Sequence, residues 1–399
     1  MHRLQHNRFH QLNGKSRYQA NLPAKRQIYV SCENAHKIGS AKHVKTLTQQ
    51  DLTDLVEGAA IFSSGGGGDP QVGLNIAERL LENRCRAQLI DPKEVPDDEI
   101  VINFACVGAT ASSAHHSDAA VKTLKTLEDF LGKKAFAVIP VELGGLNTLA
   151  AVDVAARHGI PVVDADGAGR AVPEVHLKVY TLDNISLAPM VVADLDAENI
   201  VLVKQTQDSK AAERISRVLS TEWNNTAYTA RRILTGKQVK TSPVQNTLST
   251  SIRIGMLLRK AVDPLSATLK ETHGFSFFEG NVSKVQRETK GGFTWTTVEI
   301  IGFHDCRGSM LELKAKNEFL IAKKDGKLVA IAPDIITTVR NDACNCVSAE
   351  KIKKNDKLTV IGIPAPTKWR SPKGLEMWKK VLQESGIKEK YAPIEKLLT

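Results

Sequence analysis

An α/β protein, with a three-layer α/β/α sandwich around a mainly parallel sheet and a smaller β-barrel-like domain, is the fold this sequence predicts, and three observations predict it. Short apolar runs alternate with amphipathic helical stretches between Thr48 and Asp164, the pattern of parallel strands covered on both faces. From Phe277 to Ile336 the apolar residues recur at period two with no helical stretch between them, as a small barrel or sandwich of roughly five or six strands requires. At 399 residues the chain is long enough for two cores. The expected organisation is a basic tail over residues 1–43, an α/β domain over 44–262 to which 340–399 can return, and a β-rich, barrel-like domain over 263–339.

Thr48 to Glu57 reads as a helix, since Leu52, Leu55 and Val56 share a face and Thr48 with Asp51 supplies a start signal. Gln71 to Asn83 is a second, with Val72, Ile76, Leu80 and Leu81 apolar. Ala87 to Ile90 and Ile100 to Ala105 are apolar runs between turn residues, hence strands. The alternation continues with a helix at Asp118 to Leu131, a strand at Ala135 to Val141, a helix at Asn147 to Arg157 and a strand at Pro161 to Asp164. Beyond Val175 the pattern changes. Val175 to Leu182, Met190 to Ala193 and Ile200 to Val203 read as strands; Ser209 to Trp223, Thr226 to Leu234 and Leu248 to Arg259 read as helices. The period-two stretch holds strands at Asn281 to Val285, Phe293 to Ile301, Ser309 to Lys314, Glu318 to Lys323 and Leu328 to Ala332, with Asp325-Gly326 as a turn. Leu358 to Ile363 as a strand and Lys373 to Glu384 as a helix close the chain. The four tryptophans are scattered and read as core.

The net charge of +10 is concentrated at the start. Residues 1–43 hold Arg3, Arg8, Lys15, Arg17, Lys25, Arg26, Lys37 and Lys42 against Glu33, so they contribute +7 (8 − 1) and the body only +3 (10 − 7). A nucleic-acid-binding body is therefore not expected. The tail also carries five of the eleven histidines and shows no helical or strand period, which predicts disorder. A transit peptide would share its arginines and scarce acids, but the tail lacks an amphipathic stretch. No apolar run reaches the roughly 18 residues of a membrane span, and no secretory signal opens the chain, so a cytoplasmic protein with no membrane contact is expected. Of the six cysteines only Cys344 and Cys346 are close, and a lone Cys-x-Cys completes no zinc site. Reduced thiols are expected.

Chemistry is expected at the carboxyl ends of the parallel strands. Ser63-Ser64-Gly65-Gly66-Gly67-Gly68-Asp69-Pro70 precedes a helix, and its bare amides can close on an anion. No Gly-Lys-Ser/Thr follows, so this is not a Walker loop. Glu142 and Asn147 flank Gly144-Gly145, where the amide side chain could donate to a carbonyl or simply cap the next helix. Asp164, Asp166, Arg170 and Glu174, with Gly167 and Gly169 between them, form the densest polar cluster. Two such carboxylates can share a cation or work as an acid and its charged neighbour; a bidentate pair with Arg170 would make the cluster structural instead. His115, His116 and Asp118 are candidate metal ligands or a base, or an exposed group at a helix start.

Taken together, Gly-Gly-Gly-Gly-Asp-Pro at 65–70, Glu-Leu-Gly-Gly-Leu-Asn at 142–147, Asp-Ala-Asp-Gly-Ala-Gly-Arg-Ala-Val-Pro-Glu at 164–174, Asn-Glu-Phe-Leu at 317–320 and Pro-Asp-Ile-Ile at 333–336 resemble the S-methyl thiohydantoin desulfurase family. The resemblance runs from about residue 44 to the C-terminus; residues 1–43 have no counterpart. It implies an α/β sandwich with a small β-barrel domain and association with hydantoinase and oxoprolinase proteins. The matching positions are Gly65 to Asp69, Glu142, Gly144, Gly145, Asn147, Asp164, Asp166, Gly167, Gly169, Arg170 and Glu174. The loop at Gly108 to Asp118 departs from the family pattern, carrying Ala109-Thr110 and the histidine pair where a proline and an acid are usual. The reading that follows is an enzyme acting on a hydantoin- or thiohydantoin-type cyclic amide. Glu142, Asp164, Asp166 and Arg170 are its catalytic candidates, and the glycine loop its site for an anion. The alternative is a non-catalytic accessory partner of a hydantoinase or oxoprolinase. A divalent metal and a homo-oligomer stay open.

Overall fold

The computed structural model describes residues 44–108, 117–340 and 344–398. The tail and the His115–His116 pair lie outside them. Start signals act where the sequence places them: Thr48 Oγ1 accepts the Asp51 amide at 3.1 Å and the Asp51 carboxylate accepts the Thr48 amide at 2.9 Å, opening the helix Gln49–Ile61. Asp69 caps the helix Pro70–Glu82, whose first residue is proline. The glycine loop thus joins two helices.

Strands β1 (Val44–Thr46), β2 (Gln88–Ile90), β3 (Ile100–Gly108), β4 (Ala137–Pro140), β5 (Val162–Val163), β6 (Ala165–Asp166), β7 (Met190–Ala193), β8 (Ile200–Val203), β9 (Thr226–Thr235) and β10 (Val244–Gln245) build the first part. Eight of them form one sheet in the order β1-β2-β5-β4-β3-β9-β7-β8, and β6 pairs apart with β10. β2, β5, β4 and β3 run parallel, whereas β1–β2, β3–β9, β9–β7 and β7–β8 are antiparallel. The sheet is therefore mixed, not mainly parallel. No helical crossover separates β7 from β8, so the chain turns straight back as a hairpin. Alternate residues face opposite ways. Ile102, Phe104 and Val138 pack with the helices Gln49–Ile61 and Gly145–His158, while Val101, Ala137 and Ile139 pack with Tyr180, Trp369 and Trp378.

Two expectations fail in this part. Val175 to Leu182 is not a strand but an irregular segment ending in the short helix Val179–Leu182. Thr226 to Leu234 is not a helix but β9, buried between β3 and β7. Its strand period is broken by a bulge: Ile102 faces Ile233, Asn103 faces Arg231, and Arg232 takes φ +52 between them. Two adjacent arginines inside a strand hide its alternation.

The second sheet comprises β11 (Phe275–Lys290), β12 (Phe293–Gly302), β13 (Met310–Lys316), β14 (Glu318–Lys324), β15 (Lys327–Ile331), β16 (Ile335–Arg340) and β17 (Lys357–Ile363), all antiparallel, in the order β15-β14-β13-β12-β11-β17-β16. It curls into a half-barrel, so that β16 comes back against β14 and β15. Phe278, Val298, Leu313, Phe319 and Val360 fill it. The closing stretch divides: β17 joins the half-barrel, and the helix Pro372–Glu384 packs its Trp378 with the first sheet. Cys85 is disulfide-bonded, against the expectation of reduced thiols, while Cys106, Cys306, Cys344 and Cys346 are free. Among the described residues no helix is long and apolar enough to cross a membrane.

Candidate functional site

β3 and β4 deliver their carboxyl ends to one cavity of about 60 Å³. Cys106 and Gly108 arrive from β3, Glu142 from the exit of β4, Gly67 and Gly68 from the glycine loop, and Lys178, Arg231 and Glu318 close it. Glu318 comes from the half-barrel, just after the tight turn at Asn317, which takes φ +60 between β13 and β14.

Glu142 is held from three directions. Its Oε1 accepts Asn147 Nδ2 at 2.7 Å; its Oε2 accepts Lys178 Nζ at 3.1 Å and the Val172 amide at 3.2 Å. Asn147 Oδ1 in turn accepts the Cys106 amide at 3.2 Å, so this amide side chain ties the end of β3 to Glu142. Gly144, not Asn147, occupies the cap position of the helix Gly145–His158.

The glycines work by closeness. The Gly67 amide donates to the Glu318 carboxyl group. A Cβ at Gly66 would lie 1.9 Å from Glu318 Oε1, and one at Gly67, where φ is +70, would lie 2.7 Å from Gly144 Cα. Gly65 and Gly66 do not line the cavity: the Gly65 carbonyl accepts the Ala349 amide and the Gly66 amide donates to Ser63. Gly67→Ala combines a left-handed backbone with a backbone clash. It is expected to cost about 2–4 kcal/mol in urea unfolding.

Burial sets the electrostatics. Glu318 is raised to about 8, first by burial and then by the charge of Glu142, against Arg170, Lys178 and the Gly67 amide. Lys178, 2% exposed, is pushed below the usual lysine range by burial, with Glu142 opposing. Arg231, also 2% exposed, is lowered to about 10 by burial. Burial pushes the Cys106 thiol up to about 12, which removes it as a thiolate nucleophile near neutral pH.

The acidic cluster after β5 lies elsewhere. Asp164 Oδ1 accepts the amides of Leu248 and Ser249 at 3.0 and 2.9 Å, at the start of the helix Thr247–Lys260. Asp166 accepts the Ala168 and Gly169 amides and is raised to about 7 by burial. Gly167 and Gly169 shape this turn, a Cβ at Gly167 meeting the Val141 carbonyl at 2.5 Å. Arg170 donates to the carbonyls of Ala171, Pro333 and Asp334 and stacks on Trp378, locking the loop to the approach of β16. None of Asp164, Asp166 and Arg170 lines the cavity. Asp69 caps its helix and pairs with Lys351, and Gly145 lets the helix Gly145–His158 approach Pro70. Glu174 binds Lys316 through Oε1 and faces His176 Nδ1 at 3.2 Å through Oε2; Glu213 faces the same nitrogen at 3.1 Å. Among the described residues, these three are the group whose ligand atoms are close enough to share a metal ion, within 4.8 Å of one another. Asp118 is exposed in the first turn of the helix Ser117–Leu131.

Lys178, Arg231 and Glu318 carried no signal on their own. Lys178 and Arg231 sit in segments whose periodicity misleads, and Glu318 lies in a motif, Asn-Glu-Phe-Leu, whose importance the resemblance already marked.

Fold and site together define a mixed α/β protein whose half-barrel completes a buried, charged cavity at the ends of parallel strands. The S-Me-THD-like N-terminal domain matches residues 50–204 and the S-Me-THD-like C-terminal domain matches residues 207–393. The chain belongs to the S-Me-THD-like, that is S-methyl thiohydantoin desulfurase-like, family. A crystal structure of a protein from Chromobacterium violaceum shares the fold, with a TM-score of 0.74 at 23% identity over 88% of this chain and 100% of that one. No curated protein matches the chain.

Proposed function

We propose that the protein is an enzyme that removes the methylthio group from an S-methyl thiohydantoin-type cyclic amide by adding water. One observation carries the reading: the cavity holds two carboxyl groups in opposite settings. Glu142 accepts three hydrogen bonds, one from an ammonium group, while Glu318 is raised to about 8 and so carries a proton at neutral pH. Such a split between two acids assigns a base and an acid.

Water adds to the ring carbon between the two nitrogens and gives a proton to Glu142. The carbon–sulfur bond breaks with its electron pair on sulfur, and Glu318 protonates the departing thiolate. The added oxygen loses its hydrogen to the neighbouring ring nitrogen, leaving hydantoin and methanethiol; a proton passing from Glu142 to Glu318 resets the pair. Lys178 and Arg231 face the charge that builds on the ring. Purified full-length protein is expected to release methanethiol and hydantoin in equal amounts from S-methyl thiohydantoin. An intact thioether, with a hydantoinase-type subunit co-purifying, would overturn this reading in favour of an accessory role.

A further inference from the structure

The first sheet ends on β8, and the outer side of this strand is bare. Among the described residues β8 pairs with β7 alone. Proteins usually guard such an edge with a proline, a bulge or a lysine, because unpaired amides and carbonyls invite another strand. β8 reads Ile200-Val201-Leu202-Val203, without charge or proline, and its register with β7 runs unbroken.

The ladder decides which backbone groups point outward. The Asn199 carbonyl accepts the Asp194 amide at 3.1 Å, one step beyond the Ala193–Ile200 pair. Bonds to β7 therefore recur at Val201 and Val203, while Ile200 and Leu202 direct their amides and carbonyls to the free side. The side chains of these two share one face. Ile200 lies beside Ala193 and Leu202 beside Val191; the β7 residues are fully buried, yet Ile200 and Leu202 are 37% and 39% exposed. Two residues before Ile200 stands Glu198, and two residues after Leu202 stands Lys204, both exposed.

We propose that a second copy of this chain pairs with β8 in antiparallel fashion, about a two-fold axis through Val201, and makes one continuous sheet across two protomers. In that register Ile200 lies opposite the partner's Leu202, so that the two exchange amide and carbonyl bonds, and Glu198 stands opposite the partner's Lys204. Self-complementarity singles this register out. Moving the axis to Leu202 sets Ile200 against the partner's Lys204, and moving it to Ile200 sets Leu202 against the partner's Glu198. An axis between two residues would set outward amides against groups already bonded to β7. None of these residues lines the cavity, so the proposal stands apart from the function proposed above.

Sedimentation equilibrium of the full-length protein tests it. The wild type is expected to be a dimer that loosens as salt rises. Glu198→Lys and Lys204→Glu each set like charges face to face at both symmetric places, and each should raise the dissociation constant about 10-fold or more. Mixing the two variants, or joining both exchanges in one chain, should bring the constant back near the wild-type value, because every facing pair is again opposite. Both positions are exposed, so the exchanges leave the core untouched. A monomeric wild type overturns the proposal, as does a dimer that both single exchanges leave intact. Rescue that fails in the mixture and in the double variant overturns it as well, since Glu198 then does not face the partner's Lys204.

Discussion

Glu318→Gln is expected to lower turnover by about 10²- to 10⁴-fold, the usual contribution of a positioned proton donor, with substrate affinity kept within a few-fold. The glutamine preserves the shape and can still accept the Gly67 amide, so a loss confined to kcat isolates the proton. Wild-type activity should fall as pH rises through about 8, where Glu318 ionises, and this limb should vanish in the residual activity of the variant. Stability carries the same signature. Because folding raises this carboxyl from an ordinary 4.5 to about 8, the native state binds more protons than the unfolded chain between those values, and stability falls as pH rises across that window. Asp166, raised from 3.8 to about 7, adds a slope of the same sign over its own window. In thermal melts the variant should therefore gain on the wild type between pH 5 and pH 8. An unchanged pH–rate profile, or a gain that does not grow with pH, would remove Glu318 as the acid.

Lys178→Met should destabilise the protein by about 3–5 kcal/mol, because it leaves Glu142 buried without its cation, and Glu142→Gln should do comparable harm by stranding the ammonium group. The double variant Glu142→Gln/Lys178→Met should recover most of the loss, since neither charge is then left alone. Urea unfolding of the four proteins gives the coupling directly. Additive losses would show that the two residues contribute separately and that their 3.1 Å contact is incidental. Turnover should stay absent in the double variant even as stability returns, which separates folding from chemistry.

Elements with a clean period were legible in the sequence. The helix opened by Thr48 and Asp51, the glycine loop before the helix capped by Asp69, and the strands of the half-barrel other than β16 follow from local spacing and turn chemistry. Glu142, Asn147 and Gly67 were legible too, as residues at the carboxyl ends of strands or on a loop with no side chains. What stayed hidden depends on tertiary context. Arg231 lies in a strand that two arginines and a bulge disguise as a helix, and Lys178 lies in an apolar stretch that reads as a strand. Asp164 and Asp166 drew notice because paired acids after a strand suit catalysis; here their oxygens accept the backbone amides of a helix start and a turn. Composition cannot tell those two uses of a carboxylate apart.

Glu318 and Arg231 belong to the C-terminal family domain, whereas Glu142, Lys178 and the glycine loop belong to the N-terminal one. Under the proposed mechanism, turnover is thus a property of the joined halves. A cut between residues 204 and 207 would produce two inert fragments able to complement each other, and a chimera assembled from two diverged relatives would inherit a mismatched acid and base unless both sides of the seam came from the same parent.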